Sequence, residues 1–316
     1  MTLDEVIAGV RAGEARPVGR AISIVERLGE DARRLVAELH PHTGGAVTVG
    51  LTGPPGVGKS TLAGALVRHL RAADRRVAMV SVDPTSPFSK GAVLGDRIRL
   101  ADHFLDPGVF IRSMASRGHL GGLAEATADA VLVLDAAGFD VVVVETVGAG
   151  QNEVEVRALA DTVVLALQPG SGDAIQAIKA GLMEIPDLIA ITKADRPGVD
   201  LLLADLRSAL SLVPGGPWKP PIVPVRAREG AGADDLWRQV ERHRAFLGEE
   251  GRMEERRRDG LARQLRSLAL DRLGRRLDAG LEEALLAELI EEVLARRLDP
   301  PGAVDRVLDR AGLGEA

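Results

Sequence analysis

Short apolar runs alternate with amphipathic segments through the middle of the chain, and this alternation predicts strands joined by helices. The runs are rich in β-branched residues and continuous rather than alternating, which is typical of strands covered on both faces. They lie at residues 46–51, 76–83, 109–112, 139–145, 161–168, 188–195 and 222–228. The pattern therefore predicts an α/β fold with a mostly parallel sheet flanked by helices.

The two ends of the chain have a helical pattern instead. Residues 1–44 carry apolar side chains at helical spacing until Pro41 and two glycines end the segment. After Asp234 leucine stripes recur on a highly charged background. We expect an N-terminal helical extension over 1–44, a central domain over 45–247 and a C-terminal helical arm over 248–316. The stripes need a cover, which is either a second copy of the chain or residues 1–44.

A glycine-rich motif directly follows the first predicted strand. Its residues are Gly53, Pro54, Pro55, Gly56, Val57, Gly58, Lys59 and Ser60, with Thr61 opening a helix. Glycines let backbone N–H groups turn around a phosphate, and the helix adds its positive N-terminal end. Lys59 is expected to contact the β- and γ-phosphates and Ser60 to ligate Mg²⁺. With the strand and helix in place, G-x-x-x-x-G-K-S predicts a P-loop NTPase.

Composition narrows the range of partners. The chain has 316 residues and a net charge of −6, which gives no electrostatic footprint for nucleic acid. No run approaches the roughly 20 apolar residues of a membrane span, and the acidic N-terminus lacks signal-peptide character. We therefore expect a cytoplasmic protein with no membrane or nucleic-acid partner. The absence of cysteine excludes disulfides and thiolate metal sites.

Two acidic residues end predicted strands beside the phosphate loop. Asp83 and Glu145 are placed to reach Mg²⁺ or its waters. Glu145 and Gly148 occupy the positions of the Asp-x-x-Gly element of GTPases, where the glycine N–H meets the γ-phosphate. Ala149 stands where Ras-type enzymes place a water-orienting glutamine, which predicts slow hydrolysis unless something else completes the site. The loop after Asp83 is either a nucleotide-dependent switch or an ordinary surface loop.

The scarcity of lysine adds one further candidate. Only five of the 40 basic residues are lysine, so each lysine is a candidate for a site where arginine would not serve. Lys179 lies on a predicted helix after a glycine-rich loop at 169–173. A lone lysine on a helix is usually solvated. The functional interpretation is that it swings in to neutralise transition-state charge, as an arginine finger does.

A second motif predicts the base. Thr192, Lys193 and Asp195 form T-K-x-D, which resembles the Asn-Lys-x-Asp guanine element. The carboxylate would accept from guanine N1–H and N2–H₂, whereas adenine offers neither donor. Because Thr192 replaces an asparagine that braces loops, we expect guanine preference with some loss of rigidity. Arg226, Ala227 and Arg228 occupy the base-covering loop, and only Ala227 keeps the usual Ser-Ala pattern.

With these motifs in order, the chain resembles the MeaB/ArgK family of GTPases associated with methylmalonyl-CoA mutase. The matching stretches are 52–61, 83–89, 95–97, 112–122, 145–148, 150–151 and 183–185. The resemblance covers about residues 50–230, and the terminal helices agree in length and character only. It implies a GTPase chaperone that gates cofactor loading into an adenosylcobalamin-dependent acyl-CoA mutase, protects or reactivates that mutase, and is stimulated by it. It also implies a homodimer through the C-terminal helices.

The family's site residues fall on positions of this sequence. The resemblance places the Mg²⁺ ligands on Ser60, Asp83, Asp96 and Glu145, and a third switch on 169–181 with Lys179. The predicted catalytic residues are Lys59, Asp96, Glu145, Gly148 and Lys179. Three alternatives stay open: a metal-delivery GTPase, a small-molecule kinase of the P-loop class, and a non-catalytic nucleotide-sensing scaffold. The absence of cysteine disfavours the first.

Overall fold

In a computed structural model, parallel strands form a central sheet. The structure describes residues 1–83, 105–115, 125–146, 152–170, 186–212, 216–281 and 283–313. The strands in these ranges are β1 Val47–Thr52, β2 Val77–Asp83, β3 Val109–Ala115, β4 Val141–Thr146, β5 Thr162–Leu167, β6 Leu188–Ile191 and β7 Ile222–Pro224. Their order across the sheet is β3-β2-β4-β1-β5-β6-β7, and each pairing between described strands is parallel.

Helices cover the sheet and form both ends of the chain. In the described ranges they are α1 Leu3–Arg11, α2 Ala15–Val25, α3 Glu30–Leu39, α4 Lys59–Ala72, α5 Glu125–Ala136, α6 Asn152–Leu159, α7 Val199–Leu212, α8 Ala233–Gly248, α9 Arg252–Gly280, α10 Glu283–Leu294 and α11 Pro300–Arg310. The chain divides into two compact units, Met1–Leu261 and Ala262–Ala316. Among the described helices, none has the length and apolar character that crossing a bilayer requires.

The sheet is buried on both faces, as its continuous apolar runs predict. Every residue of β4 is buried, and successive side chains point to opposite faces. Val142 and Val144 belong to a core with the N-terminal helices and α5. Val141 and Val143 belong to a second core with α4 and α8. The predicted α/β fold with a parallel sheet flanked by helices is therefore confirmed.

The N-terminal helices complete one face of the sheet. Val18, Ile22 and Leu35 are fully buried in the same core as β2, β4 and α5. Arg112 on β3 pairs with Glu26 next to the end of α2, so an ion pair joins this helical layer to the sheet. Residues 1–44 therefore belong to the hydrophobic core of the first unit. The predicted division of the chain at 44/45 and 247/248 stays a prediction.

The second unit exposes an apolar stripe. Within Ala262–Ala316, the side chains that leave large apolar surface in solvent are Leu265, Leu270, Leu273, Leu286, Ile290, Leu294 and Val304. Leu289 is buried, and Arg306 donates to Glu292 at 2.7 Å between α11 and α10. An uncovered stripe of this kind is typical of a surface that contacts another protein.

A buried polar cluster lies at the amino ends of β5 and β6. The phosphate loop follows the carboxyl end of β1, so the cluster is at the opposite end of the parallel strands. Arg256 near the start of α9 donates to both carboxylate oxygens of Asp187, at 3.0 and 2.6 Å. The amide of Val163 donates to the same carboxylate at 2.8 Å. His243 Nδ1 lies 2.9 Å from Thr162 Oγ1, and its Nε2 lies 3.4 Å from Asp187 Oδ1. These bonds fix the beginning of α9 to the sheet.

His243 is held neutral inside this cluster. Burial lowers its pKa from 6.5 to about 4; Asp187 opposes the shift, and Arg256 adds to it. The unfolded chain therefore binds more protons than the folded one between about pH 4 and 6.5, so stability rises with pH across that window. We expect this side chain alone to contribute about 3 kcal/mol of that rise. Above pH 6.5 its contribution is constant.

Urea unfolding at several pH values measures this contribution. His243→Gln stays neutral at every pH, so its stability curve is expected to be flatter than the wild-type curve between pH 4 and 6.5. The matched control is His42→Gln, the same replacement at an exposed position outside the buried cluster. Equal slopes for wild type and His243→Gln would show that the pKa of His243 is the same in the folded and unfolded states, which would contradict the pKa depression by burial.

Candidate functional site

Three glycines with positive φ carry the chain from β1 into α4. The φ values are 139° at Gly53, 73° at Gly56 and 102° at Gly58. Gly58 is the N-cap residue of α4 in a left-handed conformation, which strains any other side chain. Gly53 also lies against β5, since a Cβ there would be 2.3 Å from Ala166 O. The neighbouring strand therefore requires Gly53, in addition to the phosphate contact for which the sequence motif predicts it.

Lys59 lies at the first position of α4 and bends back onto the phosphate loop. Its side chain is buried, and its Nζ donates to Gly53 O at 2.6 Å and to Pro54 O at 3.0 Å. The two carbonyl groups hold the ammonium group inside the loop. The loop therefore has a cation in place at its centre, next to backbone amides that begin a helix.

Ser60 and Glu145 lie together beside the loop. Ser60 Oγ donates to Glu145 Oε1 at 2.8 Å, and both side chains are buried. β4 lies next to β1 in the sheet, so its carboxyl end places Glu145 at the start of α4. A hydroxyl and a carboxylate are the hard oxygen ligands that Mg²⁺ takes in phosphate sites, where it keeps waters and phosphate oxygens as well. The pair therefore fits a magnesium ion.

The other predicted metal and catalytic residues are less fully described. Asp83 is the last residue of β2, one strand away from Glu145, and its side chain lies outside the described part. Asp96, Gly148 and Lys179 all lie outside the described residues. No group of three or more acidic or histidine side chains in the described ranges could hold a metal by itself. Among the described residues, a metal at Ser60 and Glu145 would therefore take its further ligands from phosphate oxygens or water, and Asp83 and Asp96 stay predicted ligands.

Thr192 joins the predicted guanine motif to the phosphate loop. It is buried, and its hydroxyl lies 2.6 Å from Val57 O and 3.0 Å from Leu167 O, the two carbonyl groups to which it can donate. Its amide also donates to Leu167 O at 2.8 Å. The brace between the two loops, for which the family pattern uses asparagine, is thus made here by a hydroxyl group.

Lys193 makes a second link between the same loops. Its Nζ donates to Gly56 O at 2.8 Å and to the side chain of Gln168. Burial lowers the pKa of Lys193, Arg196 and Arg228 lower it further, and Asp195 opposes the shift. The stem passes close to the phosphate loop, because a Cβ on Gly58 would be 3.8 Å from Lys193 Cε. The lysine stem is therefore held along the loop, where a base could lie on it.

A cavity of about 130 Å³ opens between these segments. Its lining comes from the phosphate loop and α4, from the end of β6, and from the loop after β7. The lining residues are Val57, Gly58, Thr61, Thr192, Lys193, Asp195, Arg196, Arg226, Ala227, Arg228 and Glu229. Arg68 on α4 donates to Ala227 O at 3.1 Å and fixes the third segment. The structure thus brings the T-K-x-D motif and the Arg226–Arg228 segment to one cavity beside the phosphate loop.

Asp195 is the carboxylate in this cavity that can accept hydrogen bonds from a ligand. It is exposed, and it makes no hydrogen bond or ion pair within the described part of the chain. The second carboxylate, Glu229, pairs with Arg226 at 3.2 Å. The sequence motifs missed Arg196 and Glu229, which also line the cavity. Arg196 directly follows Asp195 in the sequence, and Glu229 lies three residues after Arg226. These two positions were the signals that could have found them.

A phosphate loop at the end of β1, joined through Thr192 and Lys193 to a base cavity with a carboxylate, defines a P-loop GTPase. The sequence profile of the family described as "Methylmalonyl Co-A mutase-associated GTPase MeaB" matches residues 18–282. The chain therefore belongs to the MeaB family, as its motifs predict.

Individual relatives agree with this assignment over most of their length. A protein of Pyrococcus abyssi that carries the name GTPase is 45% identical over 310 residues, covering 97% of this chain and 96% of the relative. GTPase ArgK of Escherichia coli is 36% identical over 263 residues and 80% of each chain. The crystal structure of a protein named LAO/AO transport system kinase has a TM-score of 0.70 and 27% identity, with 98% and 97% coverage.

Proposed function

We propose that this GTPase acts in the cytoplasm as a chaperone of an adenosylcobalamin-dependent acyl-CoA mutase of the methylmalonyl-CoA mutase type. In this role it gates cofactor loading and protects or reactivates the mutase. The observation that carries the proposal is the family match over residues 18–282, because the family description names an association with that mutase. Nucleotide state would bias which conformation meets the mutase, and the coupling must be reciprocal in binding.

The residues of the phosphate loop have distinct tasks in hydrolysis. Lys59 exchanges its bonds to Gly53 O and Pro54 O for the β- and γ-phosphates of GTP. Backbone amides of the loop and the start of α4 donate to the same phosphates. Ser60 and Glu145 are the described residues that would hold Mg²⁺, with Asp83 and Asp96 as further proposed ligands. When bound, Mg²⁺ neutralises charge that develops on the phosphate oxygens.

The proposed catalytic set lacks a glutamine that orients water. Ala149 stands at that position in the sequence, and Gly148 and Lys179 are the proposed contacts to the transferred phosphoryl group. We therefore expect slow hydrolysis by the protein alone. A partner that moves loops around the site would accelerate it by completing these contacts.

The apolar stripe of the second unit supports a homodimer. Its leucines lie on α9 and α10 and are exposed in the single chain. A two-fold dimer covers the same stripe on both copies at once, because the interface of such a dimer is self-complementary. We propose that the C-terminal arm is this interface.

A small-molecule kinase is the second candidate, since a structural relative carries the name kinase. The exposed carboxylate of Asp195 in the cavity supports guanine over adenine, because only guanine offers it donors, whereas a small-molecule kinase would use ATP. A metal-delivery role would need soft or clustered ligands. The chain has no cysteine, and the described residues hold no cluster of three metal-ligating side chains. These observations favour the mutase chaperone.

GTP turnover with and without the client mutase tests the proposal. We expect slow turnover alone, an increase of roughly tenfold or more with the mutase, and a loss of about 10²-fold or more in Lys59→Ala. Lys219→Ala is the matched control, because Lys219 is exposed and lies outside the cavity.

The possible failures of this experiment have different meanings. A mutase that leaves turnover unchanged would remove the coupling to the mutase. Turnover that survives in Lys59→Ala would place hydrolysis outside this loop. Binding of GTP by the wild type without any turnover would instead argue for a nucleotide-sensing scaffold. Preference for ATP over GTP, with phosphate passed to a small acceptor, would favour the kinase.

A further inference from the structure

The base cavity contains no aromatic side chain among its lining residues in the described part of the chain. The whole sequence has five Phe, two Trp and no Tyr. A purine held in a protein site is usually stacked between flat or extended groups, and the flat groups available are aromatic rings and arginine guanidinium planes. In this cavity the planar groups are therefore Arg196, Arg226 and Arg228.

Arg226 differs from the other two in being held at both ends. Its guanidinium NH1 lies 3.2 Å from Glu229 Oε2, and both side chains line the cavity. Its amide donates to Ala231 O at 2.9 Å, and its carbonyl accepts from the Glu229 amide at 3.0 Å. Arg226 and Ala231 form an isolated antiparallel bridge. Both side chains of the pair are about half exposed, so Glu229 orients the guanidinium group only in part, while the backbone beneath it is fixed.

The loop that carries Arg226 is itself tightly constrained. The Ala227 carbonyl accepts from Arg68 at 3.1 Å. Gly232 has a φ of 86°, and a Cβ there would be 2.5 Å from Pro224 O. The loop is thus fixed to α4 on one side and to β7 on the other. A side chain on such a loop is presented to the cavity in a defined position.

We propose that the Arg226 guanidinium, oriented by Glu229, covers one face of the guanine while the stem of Lys193 covers the other. The two residues line the same cavity and come from different segments, the loop after β7 and the end of β6. The ion pair with Arg226 also offsets the charge of Glu229. Asp195 is therefore the carboxylate that accepts hydrogen bonds from the edge of the guanine. This inference rests on the guanine site. It concerns a position where the sequence departs from the Ser-Ala pattern of the base-covering loop.

Contact with the face of a base and contact with its edge have different signatures. A plane on the face stabilises every purine by a similar amount, because each purine has a π-face. A carboxylate at the edge discriminates between purines by their donors. Inosine diphosphate lacks the 2-amino group of GDP, so the ratio of the two affinities isolates the edge contact.

Isothermal titration of wild type and variants with GDP and inosine diphosphate tests the proposal. Arg226→Ala is expected to weaken both nucleotides about fivefold and to leave their ratio unchanged. Arg226→Lys should weaken both nearly as much, because an ammonium group keeps the charge but has no plane. Glu229→Gln should weaken both about twofold through lost orientation. The control is Arg238→Ala. Arg238 also pairs with an acid three residues away in sequence, Asp235 at 2.6 Å, but it lies outside the cavity.

Three results would overturn the inference. The first is GDP affinity in Arg226→Ala that equals the wild-type value. The second is an altered GDP-to-inosine diphosphate ratio in that variant, which would mean an edge contact. The third is the same fivefold loss in Arg196→Ala or Arg228→Ala but not in Arg226→Ala. A wild-type protein that does not bind GDP would instead overturn the GTP-binding site itself, so the two failures are distinguishable.

Discussion

Replacing Asp195 with asparagine is expected to reverse the base preference of the cavity. An asparagine amide NH₂ can donate to the carbonyl group that xanthine has at position 2. Guanine has an amino group at that position, so two donors would face each other. We expect the ratio of GDP to xanthosine diphosphate affinities to fall by roughly 10²-fold. The change should be smaller than in a fully closed site, because Asp195 is exposed and water can still reach it.

Competition binding against labelled GDP measures the ratio directly. The matched control is Asp205→Asn, since Asp205 is an exposed aspartate on α7 that lies outside the cavity. Its variant should retain the wild-type ratio. If Asp195→Asn also retains it, the carboxylate does not read the base, and the assignment of the cavity to guanine fails.

Replacing Arg256 with alanine is expected to lower the free energy of unfolding of the first unit by about 3–5 kcal/mol. The reason is the buried carboxylate of Asp187, which is 7% exposed and would lose both bonds to the guanidinium group. Urea unfolding followed by tryptophan fluorescence is the suitable measurement. Trp218 and Trp237 are the two tryptophans of the chain, and both lie in the first unit.

The neighbouring arginine provides a matched control for this prediction. Arg257 is half exposed and lies 3.4 Å from Asp161, so Arg257→Ala should cost no more than about 1 kcal/mol. Adding Asp187→Asn to Arg256→Ala should restore part of the lost stability, because it removes the uncompensated charge. Equal effects of the two arginine variants would contradict the role given to the Asp187–Arg256 pair.

The sheet was predictable because its strands are buried on both faces. β4 and β5 carry little except β-branched and aliphatic residues, a pattern that an exposed strand does not need. The order of the strands and the helices that lie between motifs were harder to predict from the sequence. The motifs gave no signal for α7, and the buried cluster at Asp187 joins residues that are far apart in sequence. Such pairings depend on the tertiary fold rather than on local spacing.

Local motifs predicted the centre of the nucleotide site better than its walls. G-x-x-x-x-G-K-S and T-K-x-D are short patterns with fixed chemistry, and the structure brings them together around one cavity. The bracing bonds of Thr192 were outside the reach of the pattern, because a hydroxyl group can take the place of an amide only where the partner carbonyls are close enough. Arg196 and Glu229 belong to no motif, and their nearness in sequence to Asp195 and Arg226 becomes informative only once the cavity is known.

The position of Lys59 has a consequence for how the nucleotide enters. The ammonium group already lies at the centre of the loop and satisfies two carbonyl oxygens there. An arriving phosphate therefore meets a scaffold whose shape is set in advance, and little chain entropy is lost on binding. The same arrangement limits the affinity for phosphate. Part of the attraction between phosphate and Lys59 is offset by the loss of its hydrogen bonds to Gly53 O and Pro54 O. Phosphate binding would thus exchange one set of oxygen partners of Lys59 for another.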